Sequence, residues 1–337
     1  MADKRRPADP AQVLAHDSYA GGELLAEVTR SGFVEGYHRG SVIVLDVAGA
    51  AVAAAGDVLG PIFPRSSNKP MQVTGMLRAG LGFADPADLA LAAASHWGEP
   101  MHIQRVRTML ASAGLTEEHL ACPPDLPLSP SAREELLAAG GKRAPILMNC
   151  SGKHAAMLCT CVAAGWPTAG YRAPEHPLQR VLLATIEELA AEPVLATGVD
   201  GCGAPLYALS LTGLASAYLR LVGAPAGTPE RVVADAMRAY PELVSGTGAD
   251  DAVLMRGLPG ALAKGGAEGV LAVGVPDVGA VAIKIDDGAM RARMPVLASA
   301  LRRLGITDPV LEHLATHADG VPQKGGGEPV GTIRALW

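Results

Sequence analysis

Aromatic residues make up only 4% of this 337-residue chain, although 49% of it is hydrophobic. A core with so few rings must be filled by Ala, Leu, Val and Met, with the 40 glycines permitting close backbone approach. Charge of one sign is scarce too: 28 Lys and Arg face 34 Asp and Glu, and the net charge of -6 is spread rather than blocked. That leaves no footprint for nucleic acid. No apolar run reaches the length of a membrane span. The opening residues, MADKRRPADP, are charged and have no apolar segment behind them, which predicts a cytoplasmic protein. Five cysteines, an odd number in a chain this long, do not make a disulfide framework. Gly140-Gly141-Lys142-Arg143 lacks the Ser/Thr and the spacing of a phosphate-binding loop. There is no dinucleotide fingerprint and no His-Glu-x-x-His.

What is present begins with Pro64-Arg65-Ser66-Ser67-Asn68-Lys69-Pro70. Gly60-Pro61 marks a turn before it, and Met71, Val73, Met76 and Leu77 follow at helical spacing, with Gly80 as a stop. Pro70 is tolerated only in a first turn, which fixes where the helix begins. Ser66 and Lys69, at i and i+3, then share a face. A serine becomes a nucleophile once a base takes its proton, and lysine serves when its own proton is lost. A capping serine beside a solvated lysine has the same pattern, so Ser-x-x-Lys alone does not decide.

Residues 1–22 read as a loosely packed extension, and 23–337 as one catalytic domain. Strand-like segments cluster at about 23–68 and 260–337, and helical patterns fill about 69–259. This predicts an α/β (α+β) fold, one antiparallel sheet built from both chain ends with a mainly helical region inserted. Strands are expected at Leu25–Thr29, Gly36–His38, Ser41–Asp46 and Ala51–Ala53, with turns at Ser31-Gly32 and Ala48-Gly49. Ser95-His96-Trp97-Gly98-Glu99-Pro100 interrupts two helices, and Leu206–Leu221 reads as a helix. Lys264-Gly265-Gly266 reads as a turn leading into a strand, and Ala289–Leu304 as the last helix.

Cys150 and Lys153 recur at i and i+3, and Cys202 lies in a glycine-rich turn after Asp200. Two thiolates and an amine admit a zinc site. Two buried cysteines behaving as small hydrophobes fit the same residues. Cys122, Cys159 and Cys161 belong to packing. Serine hydrolases of the penicillin-recognising and glutaminase type combine Ser-x-x-Lys with Lys-Thr/Ser-Gly on an edge strand. Here Gly265 stands in the middle position, which removes one hydroxyl.

Seven blocks, taken in order, resemble the asparaginase II family typified by the inducible rhizobial asparaginase, over about Val28–Arg334. They are Thr29-Arg30-Ser31-Gly32 with Glu35 and His38, Arg65–Pro70, Ser95–His102, Asn149–His154, Gly198–Gly203, Lys264–Gly269 and Lys284–Gly288. The resemblance implies hydrolysis of L-asparagine to L-aspartate and ammonia, in a fold related to glutaminases and serine β-lactamases, by a homodimer. It implies Ser66 with Lys69 as one pair and Ser95 with a distant lysine, Lys264 or alternatively Lys284, as a second. Arg65, His96 and Asp200 would contact substrate. Cys150, Lys153 and Cys202 would hold Zn2+, which would grip one end of the substrate or orient Asp200. Ala249 stands where an arginine is expected. Two further readings are an esterase or penicillin-recognising hydrolase on the same fold, and a catalytically silent, zinc-stabilised amino-acid-binding protein.

Overall fold

The structure, a computed structural model, describes residues 18–337. Its seven-stranded sheet is drawn from both ends of the chain. Strands β1 (Glu23–Arg30), β2 (Phe33–Asp46) and β3 (Ala51–Ala55) come from the first. Next along the chain, β4 (Pro61–Ile62), β5 (Ala196–Val199) and β6 (Pro205–Ser210) form a separate three-stranded sheet in the order β4-β6-β5. From the other end come β7 (Leu262–Gly265), β8 (Val270–Val275) and β9 (Gly279–Ile285). The hairpin β10 (Gln323–Gly325) and β11 (Glu328–Gly331) precedes β12 (Ile333–Ala335). The large sheet runs β12-β1-β2-β9-β8-β7, with β3 branching from β2, and all its pairs are antiparallel.

Strands β8 and β9 are buried at nearly every position, so both faces must be covered. Helix Leu211–Gly223 packs on β2, β8 and β9, and helix Arg293–Arg303 on β9, β2 and β1. Lys69–Arg78, whose first eight residues are all buried, runs among the helices. It packs against helices Ser151–Ala163, Pro177–Ala190 and Pro229–Ala239. The core is Ala, Leu, Val, Ile and Met almost throughout, as the shortage of aromatics requires. No helix among the described residues is long and apolar enough to cross a membrane.

Several expectations change. Gly36–His38 and Ser41–Asp46 are one strand, β2, because Gly40 sits against β9 with no room for a side chain. Pro205–Ser210 is a strand and the helix starts only at Leu211: all six residues are buried, so neither helical nor alternating periodicity is visible in them. Lys264 and Gly265 lie in edge strand β7 rather than in a turn. The last long helix begins at Arg293, after a 3-10 turn, and a further helix spans Pro309–His317. Of the expected 1–22 extension, residues 1–17 lie outside the described residues. The rest is tied down: the Tyr19 hydroxyl and the Gly22 N–H both donate to Asp286, at 2.6 and 2.9 Å.

Candidate active site

Arg65–Asn68 forms a single 3-10 turn from which helix Lys69–Arg78 departs, with Pro70 in its first turn. Arg65 has φ +53°, a left-handed conformation that a non-glycine residue adopts only when its surroundings enforce it. Here Arg65 Nε donates to Asp200 Oδ1 at 2.9 Å. The buried Ser67 hydroxyl donates to the Lys264 carbonyl at 2.9 Å, and the Tyr218 hydroxyl to the Ser67 carbonyl at 2.9 Å. A side chain on Gly266 would lie 2.5 Å from the Pro64 carbonyl, so only glycine lets the end of β7 approach this turn. The turn thereby fixes Ser66 on the wall of a cavity of about 360 Å3. Its hydroxyl has no hydrogen-bond partner among the described residues.

Lys69 does not turn to Ser66. Its Nζ donates to Ser95 Oγ at 3.0 Å, to Cys150 Sγ at 3.1 Å and to the Ala94 carbonyl. The i and i+3 expectation assumed one continuous α-helix, whereas the α-helix starts at Lys69 and Ser66 belongs to the 3-10 turn before it. Ser95 is itself clamped. The Ser95 N–H donates to Val244 O at 2.9 Å, His96 N–H to Asn149 O at 3.0 Å and Trp97 N–H to Ser245 O at 2.7 Å. Beyond them, Glu99 accepts from the Thr247 N–H and hydroxyl.

The cavity wall also carries Asn149, Trp97, Ala249, Asp250, Asp251, Lys264 and Arg293. Lys264 Nζ donates to the Gly265 carbonyl at 2.8 Å and stands 3.9 Å from Asp251, whose Oδ2 accepts from the Gly265 N–H at 2.8 Å. Burial pushes the Lys264 ammonium down to about 8, against the pull of Asp251. Burial and the neighbouring Asp251 raise Asp250 to about 6. Lys284, the alternative distant lysine, lies off this wall and donates to the carbonyls of Glu268 and Ile285.

His96 and Arg65 do not line the cavity. His96 is fully buried, its Nε2 bonds Ser151 Oγ at 2.8 Å and its Nδ1 accepts from the Gly98 N–H, so both ring nitrogens are engaged. Burial holds the ring well below its ordinary range, hence neutral. Asp250 and Asp251 were visible in the sequence only as a polar loop, while Arg293 and Asp319 carried no signal, being brought to the wall by the last third of the fold.

Behind the wall lies the thiol cluster. Lys153 Nζ donates to Cys202 Sγ at 3.1 Å, and Cys202 Sγ stands 3.8 Å from Asp200 Oδ2. A hydrogen bond from Cys202 holds the Cys150 thiol well below its ordinary range, helped by the Lys69 and Lys153 charges and opposed by burial. Burial works against the Asp200 carboxylate, but Lys153, the Gly201 N–H and Arg65 outweigh it and lower its pKa. Lys69 joins the cluster to Ser95 through Cys150.

The L-asparaginase II family profile matches residues 26–335. The chain belongs to the L-asparaginase II family. No curated protein matches it significantly. Among solved structures, a β-lactamase from Mycobacterium bovis is similar at 14% identity and a TM-score of 0.44, covering 79% of this chain and 95% of that one. Mglu in its Tris and glutamate form is similar at 14% identity and a TM-score of 0.37, over 90% of this chain and 69% of that one.

The zinc that the L-asparaginase II resemblance implies can be tested against the donors present. Among the described residues no three His, Cys, Asp or Glu side chains converge as a metal-holding group. The donor expected beside Cys150 and Cys202, the Lys153 amine, lies at hydrogen-bonding distance from one thiol. The fully buried His154, whose pKa burial lowers to about 4, leaves its Nε2 without a hydrogen-bond partner, while its Nδ1 bonds the Tyr171 hydroxyl at 2.7 Å. Two thiols and an amine are soft and borderline donors of the kind zinc takes. The donor chemistry fits.

Proposed function

We propose that this L-asparaginase II family member hydrolyses the side-chain amide of L-asparagine, releasing L-aspartate and ammonia. The observation that carries the reading is the juxtaposition of Ser66, Ser95 and Lys264 on one cavity wall, with Lys69 bonded to Ser95. Ser66 attacks the amide carbon, and Lys69, once it leaves its contact with Ser95 and stands as the neutral amine, takes its proton. The Ser66 N–H, in the first 3-10 turn, has no intrahelical acceptor and is a donor for the oxyanion. Collapse of the tetrahedral intermediate breaks the C–N bond, and ammonia leaves with a proton relayed by Lys264. Water then cleaves the aspartyl ester of Ser66, and the serine recovers its proton.

Cys150, Lys153 and Cys202 would hold zinc. When bound, the ion supplies a fixed positive charge that neutralises the two thiolates. The cluster is absent from the residues lining the cavity, which favours a role in orienting Asp200, and through it Arg65 and the Ser66 turn, over gripping substrate. A homodimer in the cytoplasm belongs to the same reading, and light scattering of the purified protein tests its first half.

The test is ammonia release from L-asparagine by metal-replete protein, with L-glutamine beside it. Turnover of asparagine is expected, lowered about ten-thousandfold or more by Ser66→Ala. A second reading, with Ser95 as nucleophile, draws on the 3.0 Å Lys69–Ser95 contact. Mass spectrometry of a trapped acyl-enzyme separates the two by the serine that carries the adduct. Esterase activity exceeding asparagine turnover would redirect the reading to an ester-hydrolysing enzyme. Binding of asparagine without consumption would leave a binding protein.

A further inference from the structure

We propose that Arg293 binds the α-carboxylate of the substrate, reaching it through space that the missing side chain of Gly265 leaves open. This rests on the reading of the cavity as an asparagine site and adds the residue that makes it select a free amino acid.

Arg293 is only 7% exposed yet lines the cavity. Its Nη1 donates to the Val270 carbonyl at 3.1 Å and its Nε to the Met290 carbonyl at 3.4 Å. Two carbonyls fix the guanidinium without neutralising it. No ion pair with a carboxylate forms among the described residues, and Nη2 has no acceptor there. The charges of Asp251 and Asp250 in the wall act on the guanidinium, but neither pairs with it, and Asp251 is engaged by the Gly265 N–H and faces Lys264. An unpaired buried guanidinium is costly, and the cost falls when an anion enters. Arg presents a planar fork suited to a carboxylate. The α-carboxylate is the only anionic group of asparagine. Lys264 is the other cation on this wall, but it is assigned the proton relay and presents no planar fork to a carboxylate.

Gly265 explains how the guanidinium gets there. A Cβ at that position would lie 2.4 Å from Arg293 Nη1 and 3.2 Å from Asp251 Oδ2. A Ser or Thr here would supply a hydroxyl to the cavity but displace the guanidinium. The chain therefore exchanges a neutral donor for a charged one. The same group supplies the wall with the positive charge that Ala249 does not.

The experiment compares ammonia release from L-asparagine and from L-asparagine methyl ester, which keeps the amide and masks the carboxylate. Wild type should prefer asparagine. In Arg293→Gln, kcat/KM for asparagine should fall about tenfold to hundredfold, mainly through KM, while the ester is unaffected. Gly265→Ala should move the same ratio in the same direction, and Arg293→Lys should recover part of it. Equal losses on both substrates, or a wild type that does not discriminate, would overturn the proposal. Should Arg293→Gln fail to fold, Gly265→Ala and Arg293→Lys decide by the same ratio. If wild type hydrolyses neither compound, the asparaginase reading fails, and calorimetric titration with L-aspartate judges Arg293 by itself. Binding that weakens in Arg293→Lys sustains the anion site. Equal binding, or none to wild type, ends it.

Discussion

Lys69 and Lys264 are almost equally buried, at 1% and 2% exposure, and both serve one cavity, yet they are held in opposite ways. Lys69 sits within reach of three acceptors: the Ala94 carbonyl, Ser95 Oγ and Cys150 Sγ. Each of its three N–H bonds can be satisfied. Lys264 has the Gly265 carbonyl and an aspartate at the edge of ion-pair range. Its charge is undercompensated, and burial pulls its pKa down to about 8. The contrast shows that two lysines buried to the same depth can be held by very different hydrogen-bonding shells.

Removing Lys69 is expected to have the largest effect. Lys69→Met should lower kcat about a hundredfold to ten-thousandfold, as loss of a positioned base does. It should also destabilise the fold by about 1–3 kcal/mol, since the Ala94 carbonyl loses its buried donor. Kinetics and thermal unfolding of the same preparation measure both. A larger loss of kcat from Lys264→Met than from Lys69→Met would reverse the roles assigned here.

The next test concerns pH. If Lys264 works as the neutral amine, kcat should climb with pH through about 8 and flatten above it, falling roughly tenfold per unit on the acid side. Asp251 raises the Lys264 pKa, whereas Lys69 and Arg293 lower it, with Cys150 pulling upward at longer range. Asp251→Asn keeps an acceptor for the Gly265 N–H and removes only charge, so the rising limb should shift to lower pH. A limb that stays in place belongs to a different group.

How much of this could be read from the residues alone depends on distance along the chain. Ser66, Lys69, Ser95, Cys150, Lys153 and Cys202 stand in short polar blocks at helix starts and turns, which local pattern singles out while the family resemblance gives them their proposed roles. Their pairing was not legible. Which serine Lys69 reaches depends on the 3-10 turn at Arg65–Asn68 and on the clamp that Val244 and Ser245 place on the Ser95 loop. Arg293 opens a helix that reads as ordinary amphipathic structure, and only the return of β8 and β9 brings it against Gly265. Strand β6 was misread because PLYALS is buried at every position and has no period to detect. The sheet from both chain ends was legible because β1, β2, β8 and β9 are runs of branched and small apolar residues bounded by glycine turns.

A smaller effect is expected from metal. If zinc occupies Cys150, Lys153 and Cys202, chelation should lower the thermal midpoint, because a ligand at a hundred times its Kd stabilises by about 2.7 kcal/mol. For a chain of this size that is a shift of about 4 °C. Lys153→Arg should abolish the shift, since a guanidinium does not ligate. A midpoint indifferent to chelator and to added zinc would leave the thiols as packing.

Lys284 closes the comparison from the other side, and here the expected effect is smallest. Like Lys264 it has a pKa lowered by burial, but it is only partly buried and donates to the Glu268 and Ile285 carbonyls rather than to either serine. Lys284→Met should therefore leave kcat/KM for asparagine within about twofold and lower stability by about 1 kcal/mol, the net value of an ordinary hydrogen bond. The outcome discriminates because Lys264 and Lys284 lie on neighbouring stretches of one sheet and compete for the role of distant lysine. A hundredfold loss from Lys284→Met, with stability preserved, would mean that β9 rather than β7 delivers the second amine. The cavity wall would then have to rearrange when substrate binds, and the incomplete shell of Lys264 would be a feature of the empty site alone.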